Sequence, residues 1–213
     1  MASTSFAQLL DKLYFTASDQ HDKGSKFERL MRSYLQVDPA YVDRFSDVWL
    51  WKDWPGRNGK VDTGIDLVAR ERDTGALVAV QCKFYDPAST LQKHHIDSFF
   101  TALGKAEFSY GLIVSTTDNW SKHAEDALKD QSKLINRLRF QDLADSVVDW
   151  SAFDLDQPDE MERKNRKNPH PYQRTAINKV ALGFRSSDRG RLIMACGTGK
   201  TFTSLKSLKS KFR

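Results

Sequence analysis

The amino-acid sequence predicts an α/β fold in which helices flank a central mixed β-sheet. Two segments near the N-terminus, residues 5–15 and 23–36, repeat apolar residues at helical spacing. Two arms rich in apolar and β-branched residues follow, with a turn between them, and they read as paired strands. Beyond them strand and helix patterns alternate, which is typical of a layered α/β domain.

The remaining elements follow from the same patterns. A strand begins before the paired arms, in a segment that holds Trp49, Trp51 and Trp54 and ends at the loop residues 55–59. These tryptophans could stack on nucleic-acid bases, but the alternation of Trp49 and Trp51 favours core packing. After the arms we expect a helix over 92–105, a strand over 110–115, a helix over 120–130 and a short strand over 138–140.

Charge and composition divide the chain. Residues 1–152 hold 19 Lys and Arg against 22 Asp and Glu, a net charge of −3, whereas residues 153–213 hold 14 against 6, a net charge of +8. Residues 153–168 have little apolar content and predict a linker, so 1–152 and 169–213 are expected to be separate domains. Bulk charge does not favour nucleic-acid binding by the first domain, and only local patches could provide it.

Several classes of protein are excluded by composition. No apolar run approaches the roughly 20 residues of a membrane span, so we expect no membrane partner. The first residues lack the basic and apolar regions of a secretory signal. Cys82 and Cys196 lie far apart and indicate neither a disulfide framework nor a zinc site, which predicts a cytoplasmic protein.

The paired arms carry three residues that could form a nuclease site. The turn near Asp73 sets Asp66 roughly opposite Gln81, and Lys83 shares one strand face with Gln81. Asp66, the Gln81 side-chain oxygen and the Cys82 backbone carbonyl could ligate Mg²⁺, while Lys83 could contact the attacking water or the phosphate. The same spacing also fits a strand-end cap at Asp66 and a solvated Lys83, so spacing alone leaves both interpretations open.

The wider pattern resembles a known family. Gly24-x-x-Phe27-Glu28, together with the segments 62–68, 80–85 and 111–116, resembles the Mrr-like branch of the PD-(D/E)xK nucleases, over about residues 20–150. The resemblance implies a restriction-endonuclease-like core, with Asp66 as metal ligand and Lys83 as catalytic lysine. It also implies that Gln81 takes the place usually held by Asp or Glu, and that Glu28 is the helical acid, which could act through a water.

Other polar residues near this pattern have two interpretations. Asp62 could be an outer acid of the metal site, but a turn residue is favoured. His94 and His95 lack a third ligand at suitable spacing, so we expect exposed polar residues that could lie near DNA. The basic residues Arg57, Lys60 and Lys93 are candidate phosphate contacts, and each is equally an ordinary surface charge.

A second chemistry is indicated close to the C-terminus. Residues 191–195 predict a strand that leads into Gly197-Thr198-Gly199-Lys200-Thr201, where Met194 replaces the first glycine of the phosphate-loop pattern. Backbone N–H groups of such a loop surround the phosphates of ATP, Lys200 would reach the β and γ oxygens, and Thr201 would ligate Mg²⁺. Upstream, residues 170–177 resemble the adenine-reading element of superfamily-two helicases and translocases. By that resemblance Gln173 would bond adenine and Tyr172 would pack on it.

This second domain is expected to be the truncated start of a RecA-like domain. Only twelve residues follow Thr201, so no acidic Walker B strand can fit and no ATPase activity is expected from this piece. The order nuclease, linker, translocase resembles the N-terminus of Type ISP restriction–modification enzymes. That resemblance implies double-stranded DNA, a translocase, a methyltransferase and a target-recognition part of the same enzyme as partners.

Three functions remain in competition. The leading prediction is a Mg²⁺-dependent DNA endonuclease domain of an ATP-driven restriction enzyme. The neutral Gln81 keeps a rival open, namely a DNA-binding or regulatory module with a degenerate and inactive nuclease core. A third function, an ATP-binding protein in its own right, is disfavoured by the missing motifs.

Overall fold

The structure is a computed structural model that divides into two compact units, Met1–Lys164 and Asn165–Arg213. The residues that it describes are 5–60, 64–105, 107–129, 131–151, 153, 171–184, 186–187, 189–193, 203–204 and 207. The first unit contains a five-stranded mixed sheet with helices around it. The predicted α/β fold class is therefore confirmed.

The N-terminal helices form where the sequence predicts them. Helix α1 spans Phe6–Thr16 and begins at a capping box, in which Ser5 and Gln8 exchange side-chain and backbone hydrogen bonds. Helix α2 spans Gln20–Val37, and its first turn is capped by the Asp19 carboxylate, which accepts from the Asp22 N–H at 2.8 Å. A short helix α3, Pro39–Val42, follows directly.

The sheet combines antiparallel and parallel pairs. Its strands, in spatial order, are β1 (Phe45–Leu50), β2 (Leu67–Glu71), β3 (Leu77–Lys83), β4 (Phe108–Ser115) and β5 (Ile135–Leu138). The first three strands pair antiparallel, and β3, β4 and β5 pair parallel. Gly75, with φ +71°, closes the tight turn between β2 and β3. Strand β3 is thus central, and its carboxyl end lies beside that of β4.

Two expected elements have different bounds in the structure. The helix expected over 92–105 is divided into a 3₁₀ helix, Lys93–His95, and helix α4, Asp97–Leu103, because Ile96 between them has φ −121°. The strand expected over 138–140 lies earlier, at Ile135–Leu138, and Phe140 instead begins helix α6, Phe140–Ala144. Helix α5, Lys122–Lys129, agrees with its prediction.

Two apolar cores cover the two faces of the sheet. The first core joins α1, α2 and α6 to one face and contains the fully buried Phe27, Leu30 and Val80. The second core joins α4 and the segment after β1 to the other face. Phe153 packs into the first core, so this unit includes the first residue of the predicted linker. Residues 154–168 lie outside the described part of the chain.

The three tryptophans have different environments. Trp51 and Trp54 are buried in the second core with their ring centroids 5.4 Å apart, which confirms the core-packing interpretation for these two. Trp51 is not on a strand, because β1 ends at Leu50 and a 3₁₀ helix, Trp51–Asp53, follows. Trp49 is partly exposed, with the Arg70 guanidinium 5.1 Å from its ring.

The second unit is described only in part. Helix α7 spans Pro171–Gly183. Arg191, Leu192 and Ile193 form no strand and are exposed, so the strand expected over 191–195 is not seen in the three of its residues that the structure describes. Within the described residues, no helix has the length and apolar character needed to cross a membrane.

Candidate active site

Asp66 is held by hydrogen bonds to two segments of the first unit, β3 and the 3₁₀ helix after β1. It directly precedes β2, its N–H donates to the Val80 carbonyl at 2.9 Å, and its carbonyl accepts from the Trp51 N–H at 2.8 Å. Its carboxylate accepts from the Cys82 N–H through Oδ2 at 2.6 Å. Because Leu67 pairs with Val80, Asp66 lies opposite Gln81, as the turn position predicted. The carboxylate is thus fixed against the end of β3.

Gln81 is a buried polar residue whose amide oxygen is not satisfied. Its side chain is 1 % exposed, and Oε1 has no hydrogen-bond partner among the described residues. An unpaired buried polar atom costs about 1–3 kcal/mol, and most buried polar atoms of folded proteins bond to a protein group, an ordered water or a ligand. Gln81 directly precedes Cys82, whose N–H donates to the Asp66 carboxylate. The Gln81 Oε1 atom is therefore available to a ligand that binds next to this carboxylate.

Lys83 ends β3 on the same strand face as Gln81. Its backbone carbonyl accepts from the Thr116 N–H at 3.1 Å, which joins the ends of β3 and β4. The side chain is partly buried, and in the described part of the chain its ammonium makes no hydrogen bond or ion pair. Lys83 therefore adds a positive charge on the Gln81 face of β3, and no described residue pairs with it.

The electrostatics of Cys82 show that the predicted site residues come together. The pKa of the Cys82 thiol is raised well above its usual value, first by burial and then by the negative charges of Asp66 and Glu28. Lys83 opposes that rise. All three charged residues therefore lie within electrostatic reach of one sulfur, although Glu28 comes from α2, Asp66 precedes β2 and Lys83 ends β3. The thiol itself packs against the first core.

The site has a donor set that fits Mg²⁺. Among the described residues no group of three His, Cys, Asp or Glu side chains could hold a metal ion, so a zinc-type cluster is not seen there. Hard cations instead take oxygen ligands, including amide and backbone carbonyls. The Asp66 carboxylate and the Gln81 amide oxygen, which has no partner among the described residues, are oxygen donors of this kind. The Cys82 backbone carbonyl lies between Gln81 and Lys83 in the chain and stays a predicted third.

Gly64 positions the segment that carries Asp66. Its φ is +99°, and a Cβ added there would lie 2.7 Å from Ser98 Oγ and 3.3 Å from the Phe99 backbone nitrogen. Only glycine combines this backbone conformation with so close an approach to the start of α4. Ile65, which follows, is fully buried and ties the segment to the second core.

We expect Gly64→Ala to lower both stability and any activity of the Asp66 site. The added methyl group must displace α4 or the segment itself, and the backbone strain alone is worth about 1–3 kcal/mol. Gly75→Ala is the matched control, because Gly75 also has positive φ but nothing lies within 4 Å of its Cβ position. Urea unfolding should show the larger loss for Gly64→Ala, and equal losses would contradict the packing argument.

The structure describes most of the other polar residues that the sequence suggested as metal, DNA or phosphate contacts. His94 is exposed, as expected, but His95 is half-buried, because its ring stacks on Tyr85 with centroids 5.0 Å apart. Lys60 and Lys93 pair with Glu107 and Asp97 at 2.7 and 2.6 Å. Such exposed pairs exchange easily, so phosphate contact by these residues and by Arg57 stays a prediction. Asp62 lies outside the described residues.

Most residues of the predicted ATP site lie outside the part of the chain that the structure describes. Gly197, Thr198, Gly199, Lys200 and Thr201 all fall outside it. Gln173 lies on α7 and is 5 % exposed, whereas the neighbouring Tyr172 is 51 % exposed. An adenine-binding role for this pair stays a prediction.

The mixed sheet flanked by helices has the restriction-endonuclease-like architecture of the PD-(D/E)xK class, and it places Asp66 opposite Gln81, with Lys83 on the same strand face as Gln81. The chain belongs to the restriction endonuclease family, since the Mrr-type family model described as "Restriction endonuclease" matches residues 36–160. A second family model, "Type III restriction enzyme, res subunit", matches residues 166–213. No curated protein sequence matches the chain.

Solved structures include a clear relative. The "ATP-dependent Type ISP restriction-modification enzyme LlaBIII bound to DNA" is 36% identical, with a TM-score of 0.78, and the match covers 97% of this chain and 13% of that one. "MspJI Restriction Endonuclease in Complex with 27-mer Oligonucleotide" is 20% identical over 65% of this chain and 30% of that one, with a TM-score of 0.45. "DNA modification-dependent restriction endonuclease AspBHI" is 15% identical over 65% and 33%, with a TM-score of 0.43.

Proposed function

We propose that this chain is a Mg²⁺-dependent DNA endonuclease domain that belongs to a longer, ATP-dependent restriction–modification enzyme. The observation that carries the proposal is the buried Gln81 oxygen, which has no partner among the described residues, together with the fixed Asp66 carboxylate opposite it and Lys83 on the same strand face. Family membership supports DNA as the substrate. Two side-chain oxygens suited to a hard cation and a lysine suited to a phosphate support this proposal.

Each site residue would have its own role in phosphodiester hydrolysis. Asp66, Gln81 and the Cys82 carbonyl would hold the cation, which supplies positive charge to offset the charge that develops on the phosphate. Lys83 would hold the attacking water or a phosphate oxygen in position. Glu28 would orient a water at the same site. The water oxygen would bond to phosphorus and give up a proton, one bridging P–O bond would break, and the released oxygen would take a proton.

The second unit would connect this domain to a motor. The res-subunit match supports a translocase domain that starts at about residue 166. In the intact enzyme ATP with Mg²⁺ would bind at residues 197–201, and Gln173 would read the adenine. Because this chain covers only 13% of the Type ISP relative, the methyltransferase and target-recognition parts would come from the remainder of such an enzyme.

Nicking of supercoiled plasmid tests the proposed function. The purified protein is incubated at high concentration with Mg²⁺, with Mn²⁺, with Ca²⁺ or with a chelator. Open circular plasmid should form with Mg²⁺ and with Mn²⁺, and it should not form with Ca²⁺ or with the chelator. Ca²⁺ binds oxygen ligands in a looser geometry than the reaction needs. Cleavage that persists in chelator would contradict the metal requirement. A folded protein that binds plasmid and leaves it intact in every metal would instead support the inactive DNA-binding module.

Gln81→Glu should make the protein more dependent on a metal ion. The new carboxyl group would be buried opposite Asp66, where burial and like charge raise its pKa and destabilise the metal-free fold. A bound divalent cation removes that repulsion, so we expect Mn²⁺ to raise the melting temperature of this variant more than that of the wild type. Gln36→Glu adds the same charge at an exposed position of α2 and should show no such gain.

A further inference from the structure

We propose that His95 is a further substrate-contacting residue of the nuclease centre, where its Nε2–H donates a hydrogen bond to a DNA phosphate oxygen beside Lys83. The inference rests on the proposed nuclease function. It starts from the finding that His95 is half-buried and ordered by contacts, although the sequence favoured an exposed polar residue.

The ring of His95 is held in one orientation. It stacks on Tyr85 with centroids 5.0 Å apart and planes inclined by 28°, and the His94 ring meets it edge-on at 4.1 Å. Its Nδ1 accepts from the Gln92 backbone N–H at 3.1 Å. A nitrogen that accepts from a backbone donor carries no proton, so the proton of the neutral ring is on Nε2.

The ring's platform is fixed to the end of the sheet that carries Lys83. Tyr85 follows Lys83 by two residues, its N–H donates to Thr116 Oγ1 at 2.7 Å, and Thr116 Oγ1 donates back to the Tyr85 carbonyl at 2.5 Å. The Thr116 N–H itself donates to the Lys83 carbonyl. Lys83, Tyr85 and His95 are therefore parts of one hydrogen-bonded and stacked arrangement.

His95 is placed to act as a neutral donor. Burial, His94 and Lys83, in that order, lower the pKa of His95, which shows that the ring feels the Lys83 charge and favours the uncharged form. In the part of the chain that the structure describes, Nε2 has no hydrogen-bond partner. A fixed N–H next to a lysine suits a phosphate, whose oxygens accept several hydrogen bonds at once.

Four variants test this role by steady-state nicking of plasmid with Mn²⁺. His95→Phe keeps a ring on Tyr85 but removes the donor, and it should lower kcat/KM about ten- to a hundredfold, the usual effect of losing a hydrogen bond to a charged group. His95→Gln lacks the ring but keeps a neutral N–H donor and should recover most of that loss. His95→Leu lacks both and should resemble His95→Phe. His21→Phe, at an exposed position of α2, is the matched control and should cleave like the wild type.

The outcomes separate this inference from the proposed function. Wild-type rates in His95→Phe, while Asp66→Asn remains inactive, would overturn the inference alone. If His95→Gln lost as much kcat/KM as His95→Leu, cleavage would need the stacked ring and not the N–H donor. That result would also overturn the inference. Absence of metal-dependent cleavage in the wild type would overturn both. If His95→Phe melts at a lower temperature than the wild type, the difference in kcat/KM between His95→Gln and His95→Leu tests the inference in its place.

Discussion

Asp66→Asn is expected to lower metal-dependent cleavage of DNA by at least about 100-fold, because loss of an outer contact to a metal ligand alone costs about 10–100-fold. The substitution is nearly isosteric, and its side-chain oxygen can still accept from the Cys82 N–H, which holds the carboxylate at 2.6 Å in the wild type. The fold should therefore survive while the charge of the ligand is lost. Cleavage rates and melting temperatures are measured together.

The control for Asp66→Asn is Asp53→Asn. Asp53 is exposed on the 3₁₀ helix after β1 and has no role in the proposed site, so its replacement removes the same charge without removing a ligand. It should leave cleavage unchanged. Equal cleavage by Asp66→Asn and the wild type would show that Asp66 is a structural residue and would contradict the proposed site.

Lys83→Gln is expected to lower cleavage about 10²- to 10⁴-fold, the range found for groups that hold or transfer a proton in the reaction. Its effect should be on chemistry and not on metal binding. The substitution removes the repulsion between the Lys83 charge and a cation at Asp66, so the affinity for Mn²⁺ should stay equal or rise. Lys52→Gln, on the exposed side of the 3₁₀ helix, is the matched control and should behave like the wild type.

A different result would assign Lys83 another role. If Lys83→Gln bound Mn²⁺ more weakly and cleaved in proportion, the lysine would support the metal ligands and not the reaction. Calorimetry and nicking on the same preparation distinguish these two outcomes.

The paired strands show why much of the site could be predicted from sequence. The turn at Gly75 and the two-residue period of a strand fix the register, so Asp66 opposite Gln81 follows from counting residues. The convergence of Glu28 with Asp66 and Lys83 rested on resemblance, since a helix and a hairpin come together only through packing of the two cores. The structure supports that convergence through the charges around Cys82.

Other features had no local signal. The hydrogen bond from the Cys82 N–H to Asp66 and the stacking of His95 on Tyr85 both depend on long-range backbone positions. The division of the 92–105 helix at Ile96 is likewise a tertiary effect, because the apolar spacing there continues without a break. Sequence periodicity reports which face is buried, but it does not report where a helix must bend to meet a neighbouring strand.

Calorimetric titration of Mn²⁺ into the wild type, Asp66→Asn and Lys83→Gln tests the central claim most directly, because it measures the metal site without relying on cleavage. The proposed site predicts saturable binding by the wild type, loss of binding in Asp66→Asn, and equal or tighter binding in Lys83→Gln. Equal binding by the wild type and Asp66→Asn, or no binding by the folded wild type, would contradict the claim that Asp66 and Gln81 hold a divalent cation.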